Sequence, residues 1–150
     1  MHIQWLFKKF EELSPYELYA ILQLRNEVFV VEQNCVFQDA DNKDQSCYHL
    51  MGFQSDTMKA YTRIVPPGVI YNEASIGRVV TSPTIRKSGA GKELMRQSID
   101  AVHCIFGVQP IKIGAQFYLK RFYESFGFLQ SGDTYLEDGI EHIHMIKPIS

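Results

Sequence analysis

Apolar and polar positions alternate at the start of the chain. Ile3, Trp5 and Phe7 share one face of the run His2 to Phe7, the period-two signature of a strand. The pattern changes at Ser14-Pro15-Tyr16-Glu17, where Ser14 is placed to cap, Pro15 suits a first helical position and Glu17 completes a capping box. Leu18, Ile21, Leu22, Arg25, Val28 and Phe29 then recur on one face of a helix that fades near Val31. From Glu32 to Cys47 the chain is polar and acid-rich, which predicts a surface loop with at most a short helical turn. Tyr48 to Gln54 and Met58 to Val65 read as a hairpin around Ser55-Asp56, although Met58 to Tyr61 also tolerates helix. Pro66-Pro67-Gly68 punctuates the next connection. Ala74 to Thr81 is a mostly apolar strand that Ser82-Pro83 ends. Leu94, Met95, Ile99, Val102 and Phe106 return to helical spacing, and Ile111 to Ala115 is a short strand feeding a second helix, Phe117 to Phe126, stopped by Gly127. Phe128 to Tyr135 and Glu141 to Ile146 close the chain as a hairpin around Asp138-Gly139. The order βα, ββ, β, α, β, α, ββ predicts an α+β class, a mixed twisted sheet flanked by helices with some parallel pairing.

Composition narrows the function classes. A chain of 150 residues with 45% hydrophobic residues fits one domain over residues 1–150, and no repeat or linker divides it. The net charge of −2 excludes a broadly basic nucleic-acid binder. Cys35, Cys47 and Cys104 are odd in number and widely spaced, which suggests neither a disulfide framework nor a four-ligand zinc site and suits a reducing cytoplasm. The N-terminal run lacks the apolar core of a signal peptide, and no segment approaches a membrane span, so a cytoplasmic protein away from the membrane is expected.

The densest chemical signal is Arg86-Lys87-Ser88-Gly89-Ala90-Gly91-Lys92, glycines between an apolar strand and an amphipathic helix. Such a turn aims free backbone N–H groups and the positive end of a helix dipole at one point, and the basic side chains add formal charge, so the stretch predicts an anion cradle. A P-loop would need Gly at Arg86 and Ser or Thr at Glu93. A dinucleotide fingerprint would need Gly at Leu94 and a later acidic residue for the ribose. Both fail on spacing. Metal readings fail as well: His142-x-His144 lacks a third ligand, and Asp39-x-Asp41-x-x-Asp44 has Lys43, Asp44 and Leu50 where a calcium loop needs a ligand, Gly and Glu.

Arg86-x-x-Gly89-x-Gly91-x-x-Leu94, directly after a strand, resembles the acetyl-CoA-binding motif of the GNAT N-acetyltransferase superfamily. The resemblance implies that the amides of Arg86, Lys87, Ser88, Gly89, Ala90, Gly91 and Lys92 hold the CoA pyrophosphate, while the main chain of Val79, Val80 and Thr81 binds the pantetheine arm. The segment Gln116 to Phe128 resembles the strand–helix–Gly-Phe stretch that follows in these enzymes. There Tyr123 occupies the position of the usual general acid, Gln116 stands where many members contact pantetheine through Asn, and Leu119 stands where a small residue is common. Leu22 to Cys35, with Glu137-Asp138-Gly139-Ile140-x-His142-x-x-Met145, is similar to the ElaA branch of bacterial GNAT proteins, so the likeness covers nearly the whole chain. It implies a GNAT-type acyltransferase fold with splayed central parallel strands, acetyl-CoA as cosubstrate and a small-molecule or peptide amine as acceptor.

Acetyl transfer to an amine needs a deprotonated amine, a polarised carbonyl and a proton for the departing thiolate. A main-chain N–H near Val79 can polarise the carbonyl. Tyr123 can supply the proton, although a phenol of pKa about 10 protonating a thiolate of about 8.5 is uphill by roughly 2 kcal/mol before either is tuned. Glu32 and His142 are the candidate bases, His142 ahead because a free imidazole titrates near neutrality. Arg25, Phe29, Glu32 and His142 are expected to face the acceptor, and Glu32, Asp39, Asp41 and Asp44 to bias the cleft towards cationic amines. These features predict an N-acetyltransferase working by direct transfer in a ternary complex. Alternatives are an acyl-homoserine-lactone synthase-like acyltransferase, suggested by Arg25, Phe29, Glu32, Asp41 and Asp44, and a non-catalytic CoA-binding regulatory module. A homodimer is left open.

Overall fold

The computed structural model describes residues 2–149. Strands β1 (Gln4–Lys9), β2 (Tyr48–Gln54), β3 (Thr57–Val65) and β4 (Ser75–Thr81) form one antiparallel sheet in that order. Strands β5 (Ile111–Gln116), β6 (Leu129–Gln130), β7 (Tyr135–Glu137) and β8 (Ile140–Lys147) form a second, in which β8 pairs with each of the others. Both tight hairpins turn where expected. Ser55 and Asp56 have φ of 49° and 65°, and Asp138 and Gly139 of 51° and 77°, the doubly left-handed turn whose twist matches the flanking strands.

Among the described residues the two sheets meet at a single parallel bridge, Ala74 with Ile111, where the Lys112 N–H donates to the Ala74 carbonyl at 2.9 Å. Parallel pairing is thus far less than the mixed sheet expected from element order. The cause is a bulge in β4. Tyr61 pairs with Val80 and Arg63 with Gly77, so three steps of β4 oppose two of β3, and Arg78 takes a left-handed φ of 51°. A bulge bends and twists its strand, and β4 parts from β5 immediately after the bridge.

Helix α1 (Pro15–Arg25) begins as its sequence demands: the Glu17 N–H donates to the Ser14 hydroxyl at 3.1 Å and the Ser14 N–H to the Glu17 carboxylate at 2.8 Å. It runs on into a π-helical turn over Asn26–Glu32. Helix α2 (Ala90–Phe106) buries Leu94, Met95 and Val102, and α3 (Lys120–Glu124) follows a 3₁₀ turn at Phe117–Leu119, so the second predicted helix is shorter and tighter. The alternation of β3 explains both layers. Ala60 and Ile64 face the α2 side, packing with Leu94, Ile111, Phe128 and Ile143, while Tyr61 faces α1 and packs with Ile21, Leu24 and Met51.

Two expectations are corrected. Phe128 to Tyr135 is not one strand, since Gly132, at φ 90°, separates the short β6 from β7. The segment from Glu32 to Cys47 is not simply a surface loop, because Asp39, Asp44 and Cys47 are buried. The acids turn inward because three arginines wait there.

Candidate active site

Where β4 and β5 splay, they open a cleft of about 820 Å³. Ile76 to Thr81 form one wall and Ile113 to Gln116 the other, with Tyr123 between them. On one side β4 is hydrogen-bonded to β3; beyond Ala74 its other edge has no strand partner among the described residues and faces the cleft. The π-helical turn brings Phe29 and Glu32 to the mouth, and the β7–β8 hairpin brings Asp138, Ile140 and His142.

Thr81 and Arg86 line the cleft, and the loop after β4 leads from them to the start of α2. Lys87 and Gly89 take φ of 67° and 86°. A side chain at Gly89 would meet nothing within 4 Å, so the glycine serves the backbone conformation and not a shortage of space. The Ser88 hydroxyl donates to the Ile85 carbonyl and holds the turn. Lys87 to Lys92 lie outside the lining of the cleft itself, at the N-terminus of a helix of 17 residues whose first N–H groups have no intrahelical acceptor.

Tyr123 is 5% exposed, its ring edge-on to Phe122 and Phe128 at 5.2 and 6.1 Å, and burial raises its phenol well above the ordinary tyrosine range. His142 lines the cleft with Nδ1 2.7 Å from the Ile140 carbonyl. A carbonyl only accepts, so Nδ1 carries a proton, while Nε2 stands 3.6 Å from the Glu137 carboxylate. Gln116 reaches Gln33 at 3.3 Å across the cleft. Glu32 is engaged. Both its oxygens meet the Arg86 guanidinium, at 2.5 and 2.6 Å, and those hydrogen bonds hold its carboxyl below the usual range, which makes it a weak base.

Arg25 is a correction. It is fully buried outside the cleft lining, with Nε on Asp39 at 2.7 Å and Nη1 on Asp44 at 2.9 Å, and cannot face an acceptor. Arg63 bonds Asp41 and Asp44 at 2.8 and 2.9 Å, and Arg78 approaches Asp39 at 2.8 Å. Three arginines therefore balance Asp39, Asp41 and Asp44, and the acceptor-steering field expected from those acids is cancelled locally. Only Asp41 of the three reaches the cleft. Burial alone would raise its carboxyl, but hydrogen bonds and charge from Arg63, with Arg78 beyond, hold it at about 2. Arg78, Cys35 and Gly114 also line the cleft without having been expected there. Arg78 alone carried a signal, a charge inside an apolar strand.

The model of the acetyltransferase (GNAT) domain matches residues 26–149. A relative from Synechocystis is 42% identical over 147 residues, covering 97% of this chain and 96% of its own. Protein ElaA of Escherichia coli is 40% identical over 149 residues, covering 98% of this chain and 97% of its own, and its crystal structure superposes with a TM-score of 0.91. An acyl-CoA N-acyltransferase from Pseudomonas aeruginosa, 38% identical, superposes over 97% of this chain and 99% of its own with a TM-score of 0.94. Splayed strands, the glycine turn and these likenesses agree: the chain is an acyltransferase and belongs to the GNAT acetyltransferase family, with ElaA among its relatives.

Proposed function

We propose that this acyltransferase moves an acetyl group from acetyl-CoA to a primary amine, by direct transfer with both substrates bound. The observation that carries the reading is the unpaired edge of β4, which runs along the cleft from the bridge at Ala74 towards Arg86, with Tyr123 and His142 facing the same space. An extended arm bearing amides can add to such an edge as a further strand. Val79, Val80 and Thr81 offer that edge, and the turn from Arg86 to Lys92 offers N–H groups and positive charge for phosphates. Bound there, acetyl-CoA supplies an activated acyl group.

The chain's own residues supply the rest. A β4 N–H near Val79 is placed to polarise the thioester carbonyl. The His142 Nε2 lone pair receives the amine proton as the C–N bond forms, and the Tyr123 hydroxyl gives its proton to sulfur as the C–S bond breaks. Because burial raises the Tyr123 phenol, it stays neutral and keeps its proton, and the transfer has to accompany C–S cleavage instead of preceding it. Glu32, tied to Arg86, leaves the base role to His142. Three unbridged cysteines suit a reducing cytoplasm, and among the described residues no helix is long and apolar enough to cross a membrane. The test is release of free thiol from acetyl-CoA over polyamines, amino acids, aminoglycosides and peptide N-termini. Release matched by acetylated amine supports the reading; CoA binding without release for any amine withdraws it in favour of a non-catalytic CoA module.

A further inference from the structure

Gly114 lies in the middle of β5, opposite His144, and lines the cleft. Its backbone does not need glycine, since its φ is not left-handed. A glycine inside a strand weakens it, and the usual compensation is close approach of something else. Here two phenols make that approach. A Cβ at position 114 would stand 3.0 Å from the Tyr135 hydroxyl and 3.1 Å from the Tyr71 hydroxyl, so the missing side chain leaves room for two convergent hydroxyls.

The two tyrosines come from separate parts of the chain and are held by a shared stack. Tyr135 lies over His144 at 4.7 Å and His142 at 5.7 Å, both at 26°, and Tyr71 meets His144 edge-on at 5.6 Å. Lys112 shares the face of β5 with Gly114, and its ammonium sits 5.0 Å from the Tyr71 ring. Among the described residues no carboxylate comes within ion-pair distance of Lys112. Burial and the Lys112 charge lower the basicity of His144, which leaves that ring neutral at neutral pH. The cluster therefore gathers two hydroxyls and one cation beside Gly114, which alone among them lines the cleft. One step along the sheet His142, opposite Gln116, turns Nε2 towards Glu137 at 3.6 Å, and the Glu137 charge is felt at Tyr71, Tyr135 and His144 as well. Successive same-face positions on a strand are about 7 Å apart, the scale of an amino acid's main-chain ends with the side chains that grip them.

Building on the acetyltransferase reading, we propose that Tyr71, Tyr135 and Lys112 over Gly114 form a carboxylate subsite, and that the acceptor is a free amino acid acetylated on its α-amine. The amine nitrogen, facing His142, bonds the acetyl carbon as the C–S bond breaks. Its proton passes to His142, the thiolate takes one from Tyr123, and the products are an N-acetyl amino acid and CoA.

The experiment compares amino acids with their decarboxylated partners, phenylalanine with phenethylamine, histidine with histamine and lysine with cadaverine, by thiol release. The wild type is expected to favour the carboxylate-bearing member by about tenfold or more in kcat/KM, as loss of charge-assisted hydrogen bonds implies. Tyr71→Phe, Tyr135→Phe and Lys112→Met should each raise KM for amino acids about tenfold with little change in kcat, and leave the plain amines unaffected. CoA binding measured by calorimetry confirms that each variant is folded. Equal or better use of the decarboxylated amines overturns the amino-acid proposal while leaving acetyl transfer standing. Variants that change both series alike overturn the subsite. Failure of both series, with CoA still bound, overturns this proposal, and the acetyltransferase reading falls too once the other amines of the screen also fail.

Discussion

Glu32 and Arg86, 54 residues apart in sequence, close a bidentate pair across the mouth of the cleft. The carboxylate holds the guanidinium that a phosphate would otherwise attract. Glu32→Gln should therefore tighten CoA binding about threefold at low salt, since an exposed pair is worth little, and the gain should vanish at high salt; calorimetry at two ionic strengths reads both. Tyr123→Phe should keep CoA affinity and lower turnover about 10²-fold, as expected for loss of a general acid, and an unchanged single-turnover rate would reject that role. Gly89→Asp should abolish CoA binding, because a left-handed backbone and a second negative charge both oppose it. Single residues were legible in unequal measure. Gly89 and Tyr123 stand at spacings that a loop and a helix impose locally. Arg25 was misplaced because its partners, Asp39 and Asp44, lie 14 and 19 residues away in a stretch with no periodicity. A charge on an apolar helical face reads equally well as a cleft residue or as one half of a buried pair.

At the scale of elements, the segment that carries Asp39, Asp41 and Asp44 is fastened to α1, β3 and β4 by the three arginines, one from each. Arg63→Met leaves Asp41 and Asp44 short of a counter-ion and should cost about 3 kcal/mol or more in urea unfolding, with the m-value kept. Asp41, held at about 2 when folded against an ordinary value of 3.8, binds its proton more readily in the unfolded chain. Its stabilisation is complete above pH 4 and lost as pH falls towards 2, so the unfolding midpoint should drop through that window, and less so in Arg63→Met. The hairpins and the capped start of α1 could be read directly, since their turns and caps depend on adjacent residues. The split of the closing strand at Gly132 and the π-helical turn could not, because they answer to packing from elsewhere in the chain.

For the whole molecule, element order predicted a mixed sheet, and resemblance supplied the splay of its central strands. The structure traces that splay to one left-handed residue, Arg78, inside β4. It also reduces the backbone junction between the sheets to one bridge and the hydrogen bond from Lys112 to Ala74. Below that point a shared apolar core crosses from sheet to sheet, and above it β4 and β5 stand apart. The bridge is then a fulcrum, and the width of the cleft is an angle about it. A donor strand laid between the two arms would stiffen that angle, so hydrogen exchange at the Lys112 amide should slow when CoA binds, together with the amides of Val79 to Thr81. Slowing confined to the Arg86 to Lys92 turn would show that the arms are rigid on their own. Thus a single residue turned the wrong way in one strand opens the room into which a further strand could be laid.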